Sequence, residues 1–140
     1  MIKKLAFLLL VIVIITAASN KWEWPARGPI TQGFDSSNHG IDIAVPEGTP
    51  VLASQKGFVD RIEQSEIYGL LVVLRHRGGY ETLYAHNSKV LVNKGSTVIA
   101  GTEIALSGST GRSTGPHIHF EIRKDGYTVN PMQLLQPDQI

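Results

Sequence analysis

The stretch LLVVLRHRGGYETLYAH, residues 70–86, decides the fold class. The apolar run LLVVL is followed by a turn sequence with Gly78 and Gly79, and then by a run that alternates polar and apolar residues. Two such runs around a pair of glycines predict a β-hairpin. Because LLVVL is apolar on both faces, we predict that its strand lies in the centre of a sheet.

Turn-forming residues punctuate the rest of the chain about every eight to twelve residues, which is typical of a protein built from short strands. Gly, Pro, Asn and Asp supply the backbone dihedrals that tight turns need. We therefore predict an all-β fold, an antiparallel β sandwich or barrel-sandwich of short strands joined by glycine-rich loops. One helical turn is expected in NPMQLLQ, residues 130–136.

The N-terminal residues differ from everything that follows. MIKK carries two lysines, and residues 5–18 form an apolar run that ends in small residues. This pattern predicts a secretory signal helix over residues 1–19. The alternative is a short membrane anchor, although the run falls short of the ~20 residues of a spanning helix. In both cases residues 20–140 are expected to form one exported domain, in the periplasm, the cell envelope or the medium.

Charge and cysteine content exclude several classes of partner and chemistry. Without residues 1–19 the chain has 11 basic and 12 acidic residues, so no basic patch for nucleic acid is expected. The absence of cysteine excludes disulfides, thiolate metal ligands and a cysteine nucleophile. Contact with a membrane is expected only through an uncleaved N-terminal segment.

Residues 115–123, GPHIHFEIR, alternate with the period of a strand. His117, His119 and Glu121 are predicted on one face and the intervening apolar residues on the other. Asp42 lies in the apolar run IDIAV, where a carboxylate is costly unless it meets a cation or hydrogen-bond donors. With His86 at the end of another run, these side chains suit a catalytic zinc site, which combines imidazole and carboxylate ligands with an open water position.

Three segments resemble the lysostaphin-type zinc endopeptidases of bacterial cell walls, also called LytM domains. They are GIDIAVPEGTPVLAS (40–54), YGLLVVLRHRGGYETLYAHN (68–87) and GSTGRSTGPHIHFEIR (108–123). The resemblance implies that Asp42 and His119 are zinc ligands and that His86 and His117 are catalytic. It also implies an endopeptidase that hydrolyses amide bonds in peptidoglycan peptides.

The first motif departs from the family pattern. The resemblance places a histidine four residues before Asp42, and this chain has Asn38 there. On a strand an even spacing puts two side chains on one face, so His39, three residues before Asp42, would point away. The third ligand is therefore expected to be the weaker amide oxygen of Asn38, or His39 if a bulge near Gly40 turns it back. Zinc is expected to be weakly bound or absent.

Two functions are compatible with this pattern. The main interpretation is a zinc endopeptidase, because four functional residues of the family are retained. The alternative is a non-cleaving LytM module that binds the cell wall and activates a murein amidase, because Asn38 and Asn87 resemble that branch. The expected partners are peptidoglycan peptides and, for the alternative, a cell-wall amidase.

Overall fold

The computed structural model describes residues 22–137, so the predicted signal helix at residues 1–19 lies outside the described part. The described chain is all-β, as predicted. Its strands are β1 (Ile30–Gln32), β2 (Ile41–Ala44), β3 (Pro50–Leu52), β4 (Gly57–Ser65), β5 (Gly69–Arg75), β6 (Tyr80–Val90), β7 (Thr97–Val98), β8 (Glu103–Ser107), β9 (His117–Lys124) and β10 (Tyr127–Val129), with single 3-10 turns at Arg77–Gly79 and Pro131–Gln133.

All ten described strands belong to one antiparallel sheet, whose main order is β1-β2-β9-β6-β5-β4-β7. β10 pairs with β9, and β3 pairs with β8. The sequence predicted a sandwich or barrel-sandwich, and the structure instead has one continuous hydrogen-bonded sheet. The reason is β6, whose 11 residues pair with β5, β9 and β8. The segment YETLYAH and the first two residues of the segment KVLV thus lie on the same long strand.

The predicted hairpin of β5 and β6 is confirmed. Gly78 and Gly79 have φ values of 76° and 79°, in the left-handed region that glycine adopts without steric cost. The strand of LLVVL is central, because β5 lies between β4 and β6. The Val72 and Leu74 side chains are fully buried in the main core.

The two faces of β9 differ as the alternation predicts. Ile118, Phe120 and Ile122 are fully buried in the main core. Trp22 and Trp24 pack into the same core, and the Trp24 Nε1–H donates to the Gln136 carbonyl at 2.7 Å. The indoles therefore close one side of the core.

The opposite face of the sheet carries the polar residues of β9. On β6, Leu83 and Ala85 stand opposite Glu121 and His119, and they belong to a second, smaller apolar cluster. Directly opposite residues in an antiparallel pair share a face. The polar side chains of β9 are thus supported from one side by apolar neighbours. Within residues 22–137, no helix is long and apolar enough to cross a membrane.

Candidate functional site

The predicted ligand pair meets across the β2–β9 ladder. Asp42 stands directly opposite His119, so their side chains share a face of the sheet. His119 Nδ1 lies 2.7 Å from Asp42 Oδ1, and His117 Nε2 lies 3.9 Å from Asp42 Oδ2. The carboxylate that the sequence places among apolar residues therefore does meet a hydrogen-bond donor, His119.

His119 bridges two carboxylates. Its Nε2 lies 3.0 Å from Glu121 Oε1, on the side away from Asp42. Burial by itself lowers the pKa of His119, but the hydrogen bonds to Asp42 and Glu121 outweigh burial and raise the pKa to about 9. A ring that donates from both nitrogens is an imidazolium. The arrangement therefore places one positive charge between two negative charges.

Glu121 is the most buried member of this cluster, with 1% of its surface exposed. Tyr68 Oη donates to its Oε1 at 2.8 Å, and Arg123 donates to its Oε2 from Nη2 at 2.7 Å and from Nε at 3.0 Å. Burial raises the pKa of Glu121, but these bonds and that from His119 lower it to about 2. The carboxylate is thus ionised and fully paired.

Sequence reasoning missed Tyr68 and Arg123. Arg123 follows Glu121 at the strand period, so the alternation of β9 contains a signal for that ion pair. Tyr68 comes from the turn before β5, and its contact with Glu121 depends on tertiary structure alone. Its ring also stacks on His119, with centroids 5.8 Å apart.

The two residues expected to be catalytic lie side by side. The ring centroids of His86 and His117 are 4.7 Å apart, and His86 is 6.2 Å from His119. His86 Nδ1 lies 2.7 Å from the Thr110 carbonyl, and His117 Nδ1 lies 2.9 Å from the Gly115 carbonyl. Because a carbonyl only accepts, each Nδ1 carries the proton. Burial lowers the pKa of His86, which favours its neutral form.

These hydrogen bonds decide which ring atoms remain for a ligand. When each imidazole is neutral, its Nε2 is an acceptor. His117 Nε2 and Asp42 Oδ2 are then two acceptors 3.9 Å apart. A group with two N–H donors, or one N–H shared between them, suits that gap.

Asn38 and His39 lie before β2, in a bend, so the strand period does not govern their directions. Asn38 is buried, and its Nδ2 donates to the Gly33 carbonyl at 3.2 Å. His39 is exposed. Among the described residues, neither forms a hydrogen bond or ion pair with Asp42, whose carboxylate pairs with His119.

The donor set can be tested against zinc chemistry. A catalytic zinc site has three protein ligands, drawn from His, Asp, Glu and Cys. Asp42 and His119 supply two, and residues 22–137 contain no group of three or more such side chains that could hold a metal ion. Asn38 offers a neutral amide, a weaker donor than imidazole. The residues present are therefore one imidazole short of a catalytic zinc site and do not fit the ion.

An open groove runs beside these residues, with a volume of about 350 Å³. Its walls come from β1, β2 and the loop before β9. Side chains and backbone of Thr31, Gln32, Asp42, Ala44, Thr114, Gly115, Pro116 and His117 line it. The groove is shallow and is lined by both polar and apolar groups.

The chain belongs to peptidase family M23, whose family model matches residues 36–131. Members of this family with peptidase activity are zinc metallopeptidases.

Relatives of this chain include enzymes and an activator. The chain is 48% identical over 98 residues to the DD-carboxypeptidase/endopeptidase Mpg of Neisseria meningitidis, covering 70% of this chain and 23% of Mpg. It is 39% identical over 124 residues to the murein hydrolase activator NlpD of Salmonella dublin, covering 86% of this chain and 33% of NlpD. The chain spans less than half the length of these relatives.

A solved structure with the same fold is a zinc-containing peptidase from Vibrio cholerae. It superposes with a TM-score of 0.78 at 34% identity, over 81% of this chain and 40% of the other. The described part of the chain therefore has the fold of a zinc-containing peptidase.

Proposed function

We propose that this domain is an exported, non-catalytic M23 module that binds the peptide part of peptidoglycan and activates a cell-wall amidase. One observation carries the proposal: His119 forms hydrogen bonds with Asp42 and Glu121 at a site where residues 22–137 offer no third strong ligand. The imidazolium supplies the positive charge that the two carboxylates require. The relatives support the context, because they include peptidoglycan endopeptidases and a murein hydrolase activator.

Peptide binding follows from the hydrogen-bonding groups of the groove. His117 Nε2 and Asp42 Oδ2 lie on the wall of the groove and are acceptors for the N–H groups of an extended peptide. Thr31, Gln32 and Thr114 add hydroxyl and amide groups along the wall. Polar groups that fix orientation within a preformed groove are the usual source of ligand specificity.

The test uses the chain without residues 1–19, purified murein sacculi and a cell-wall amidase. We expect the domain to co-sediment with sacculi, to release no soluble fragments by itself, and to increase the release by the amidase. His117→Ala removes one acceptor from the groove and should weaken co-sedimentation. The control Tyr127→Ser changes an exposed residue and should leave co-sedimentation unchanged. Release of muropeptides by the pure domain, abolished by His119→Ala, would contradict the proposal.

The second candidate is the zinc endopeptidase, with Asn38 or His39 as third ligand. It is favoured by one observation: His86 and His117, the pair expected to act in catalysis, are both retained and their rings are 4.7 Å apart. This candidate predicts cleavage of sacculi that depends on added zinc and is lost in His86→Ala. The absence of cleavage at saturating zinc would leave the activator as the supported function.

A further inference from the structure

His86 adopts a backbone conformation that non-glycine residues rarely adopt. Its φ is 65°, and among the described residues Asp125 is the other non-glycine residue with positive φ. Such conformations persist only where the surrounding structure holds them. His86 lies within β6 and is 5% exposed, so neighbours on all sides can act on it.

The register of the β5–β6 ladder shows how the chain reaches this conformation. Leu70 pairs with Asn87 and Val72 pairs with Tyr84, so a two-residue step on β5 faces a three-residue step on β6. The extra residue on β6 is a β-bulge, which breaks the ladder and redirects a side chain. Backbone carbonyls next to a bulge need other donors, because unpaired buried carbonyls are costly.

Asn87 supplies those donors. Its Nδ2 lies 2.8 Å from the Tyr84 carbonyl and 3.1 Å from the Leu70 carbonyl, one on each strand of the interrupted ladder. Both neighbours are acceptors, which fixes the orientation of the amide. The Asn87 Oδ1 is buried and accepts no hydrogen bond from the described residues. The side chain thus acts here through its two N–H groups.

We propose that Asn87 is a positioning residue of the histidine pair beside the groove, whose amide fixes the bulge that turns the ring of His86 toward His117. Thr110 completes the arrangement. Its hydroxyl accepts from the Leu70 amide at 3.1 Å and donates to the Asn87 carbonyl at 2.8 Å, while its own carbonyl accepts from His86 Nδ1. Asn87 and Thr110 therefore fix the backbone and the ring of His86 together, and Nε2 remains directed away from Thr110.

Substitutions can distinguish the hydrogen-bond donors of Asn87 from the volume of its side chain. Leucine has a similar volume and no donor, and serine is too short to reach both carbonyls. Aspartate has the shape of asparagine, but its oxygens only accept and would face two other acceptors. We expect each of these replacements to release the bulge. This inference concerns the position of His86 beside His117, and it rests on the proposed function only where peptidoglycan binding is the readout.

The experiment compares Asn87→Leu with the wild type by NMR of the signal-free domain. In the wild type, positive φ brings the His86 amide proton close to its own Hα and gives a strong intraresidue cross-peak, and the Nδ1 proton is protected by its bond to Thr110. Asn87→Leu should lose both signals. Its co-sedimentation with murein sacculi should weaken by about tenfold, the scale of one lost buried hydrogen-bonded group.

Thr82→Val is the matched control. It removes two buried hydrogen bonds from the same strand, four residues before His86. We expect Thr82→Val to keep both His86 signals and its binding to sacculi, although it lowers stability. A merely structural role for Asn87 would make the two variants behave alike.

Asn87→Ser provides a milder variant should Asn87→Leu fail to fold. Loss of the two His86 signals in a folded Asn87 variant, with their retention in Thr82→Val, supports the proposal. Retention of both signals in Asn87→Leu, or in Asn87→Ser when Leu does not fold, overturns it. If wild type binds no sacculi while the NMR signals change as expected, the positioning role stands and the proposed function fails.

Discussion

Two buried histidines in this sheet have opposite electrostatic surroundings. His119 lies between two carboxylates, and its pKa is raised to about 9. His76 lies between the Lys56 carbonyl and the Thr82 hydroxyl, each 2.7 Å from a ring nitrogen. Burial lowers the pKa of His76, and the bond to the Lys56 carbonyl only partly opposes this effect. The charge of the partners, more than burial, thus decides whether a buried imidazole is an ion.

The two networks also end in different places. From His76, hydrogen bonds continue through Thr82 to Tyr84 Oη, which accepts from the Ser54 amide at 2.8 Å. The Trp22 ring packs edge-on against His76 at 5.3 Å. This network therefore connects the first described residues to the core. The network of His119 ends at Asp42, which lines the groove.

The largest expected effect is the loss of stability when Glu121, the buried carboxylate that pairs with His119, is replaced. Glu121→Gln keeps the shape of the side chain but removes the buried counter-charge of Arg123 and leaves His119 with Asp42 alone. Removal of one partner of a buried ion pair costs about 3 to 5 kcal/mol. We expect a loss of that size in the free energy of unfolding, measured by urea denaturation with tryptophan fluorescence.

Glu81→Gln is the control for that change. Glu81 pairs with Arg75 at 3.4 Å, and the Arg75 side chain is 51% exposed. Exposed pairs contribute about 0 to 1 kcal/mol. Equal losses in the two variants would show that the His119 network contributes no more to stability than a surface ion pair.

The comparison also predicts a two-sided pH dependence of stability, measured with a chelator present. The raised pKa of His119 gives a contribution that is complete below its ordinary value of 6.5 and is lost as pH rises through about 9. The lowered pKa of His76 gives a contribution that is complete above 6.5 and is lost as pH falls below that value. His119→Gln should flatten the alkaline limb and His76→Gln the acid limb. An unchanged alkaline limb in His119→Gln would contradict the ionic assignment.

A smaller loss is expected from Thr82→Val, which breaks the neutral network. Valine keeps the β-branched shape but leaves His76 Nε2 and Tyr84 Oη without their shared partner. Unsatisfied buried polar groups cost about 1 to 3 kcal/mol, so this variant should lose less stability than Glu121→Gln. Its binding to sacculi should equal that of the wild type; weaker binding would show that the two networks are coupled.

The smallest effect is expected from His39→Ala. His39 is exposed and lies outside the strand. Surface substitutions of this kind change stability by no more than about 0.5 kcal/mol. Binding to sacculi should also be unchanged. A large loss of stability or of binding in His39→Ala would show that this residue belongs to the groove and would support it as a ligand.

The sequence predicted the features that depend on local periodicity. The turn at Gly78–Gly79, the central position of β5 and the two faces of β9 follow from patterns of two or three neighbouring residues, and the structure confirms them. The single continuous sheet could not be predicted, because the bulge at His86 hides the continuity of β6 from any pattern with a period of two.

The candidate site also has features that the sequence predicted and features that it did not. The meeting of Asp42 with His119 and the adjacency of His86 and His117 were inferred from family motifs, and the structure brings each pair together. The roles of Tyr68 and Thr110 depend on loops that approach the sheet only in three dimensions. The direction of Asn38 also escaped prediction, because it precedes the strand whose period was used to place it.

Zinc stoichiometry tests the central claim most directly. The metal content of the signal-free wild type and of Asn38→His is measured after equilibration with micromolar zinc and desalting. We predict that wild type retains none and that Asn38→His, which restores the third imidazole, retains about one zinc ion per chain, as expected for a three-ligand catalytic site. One zinc ion per wild-type chain, lost in Asn38→Ala or His39→Ala, would contradict the account and establish the endopeptidase site.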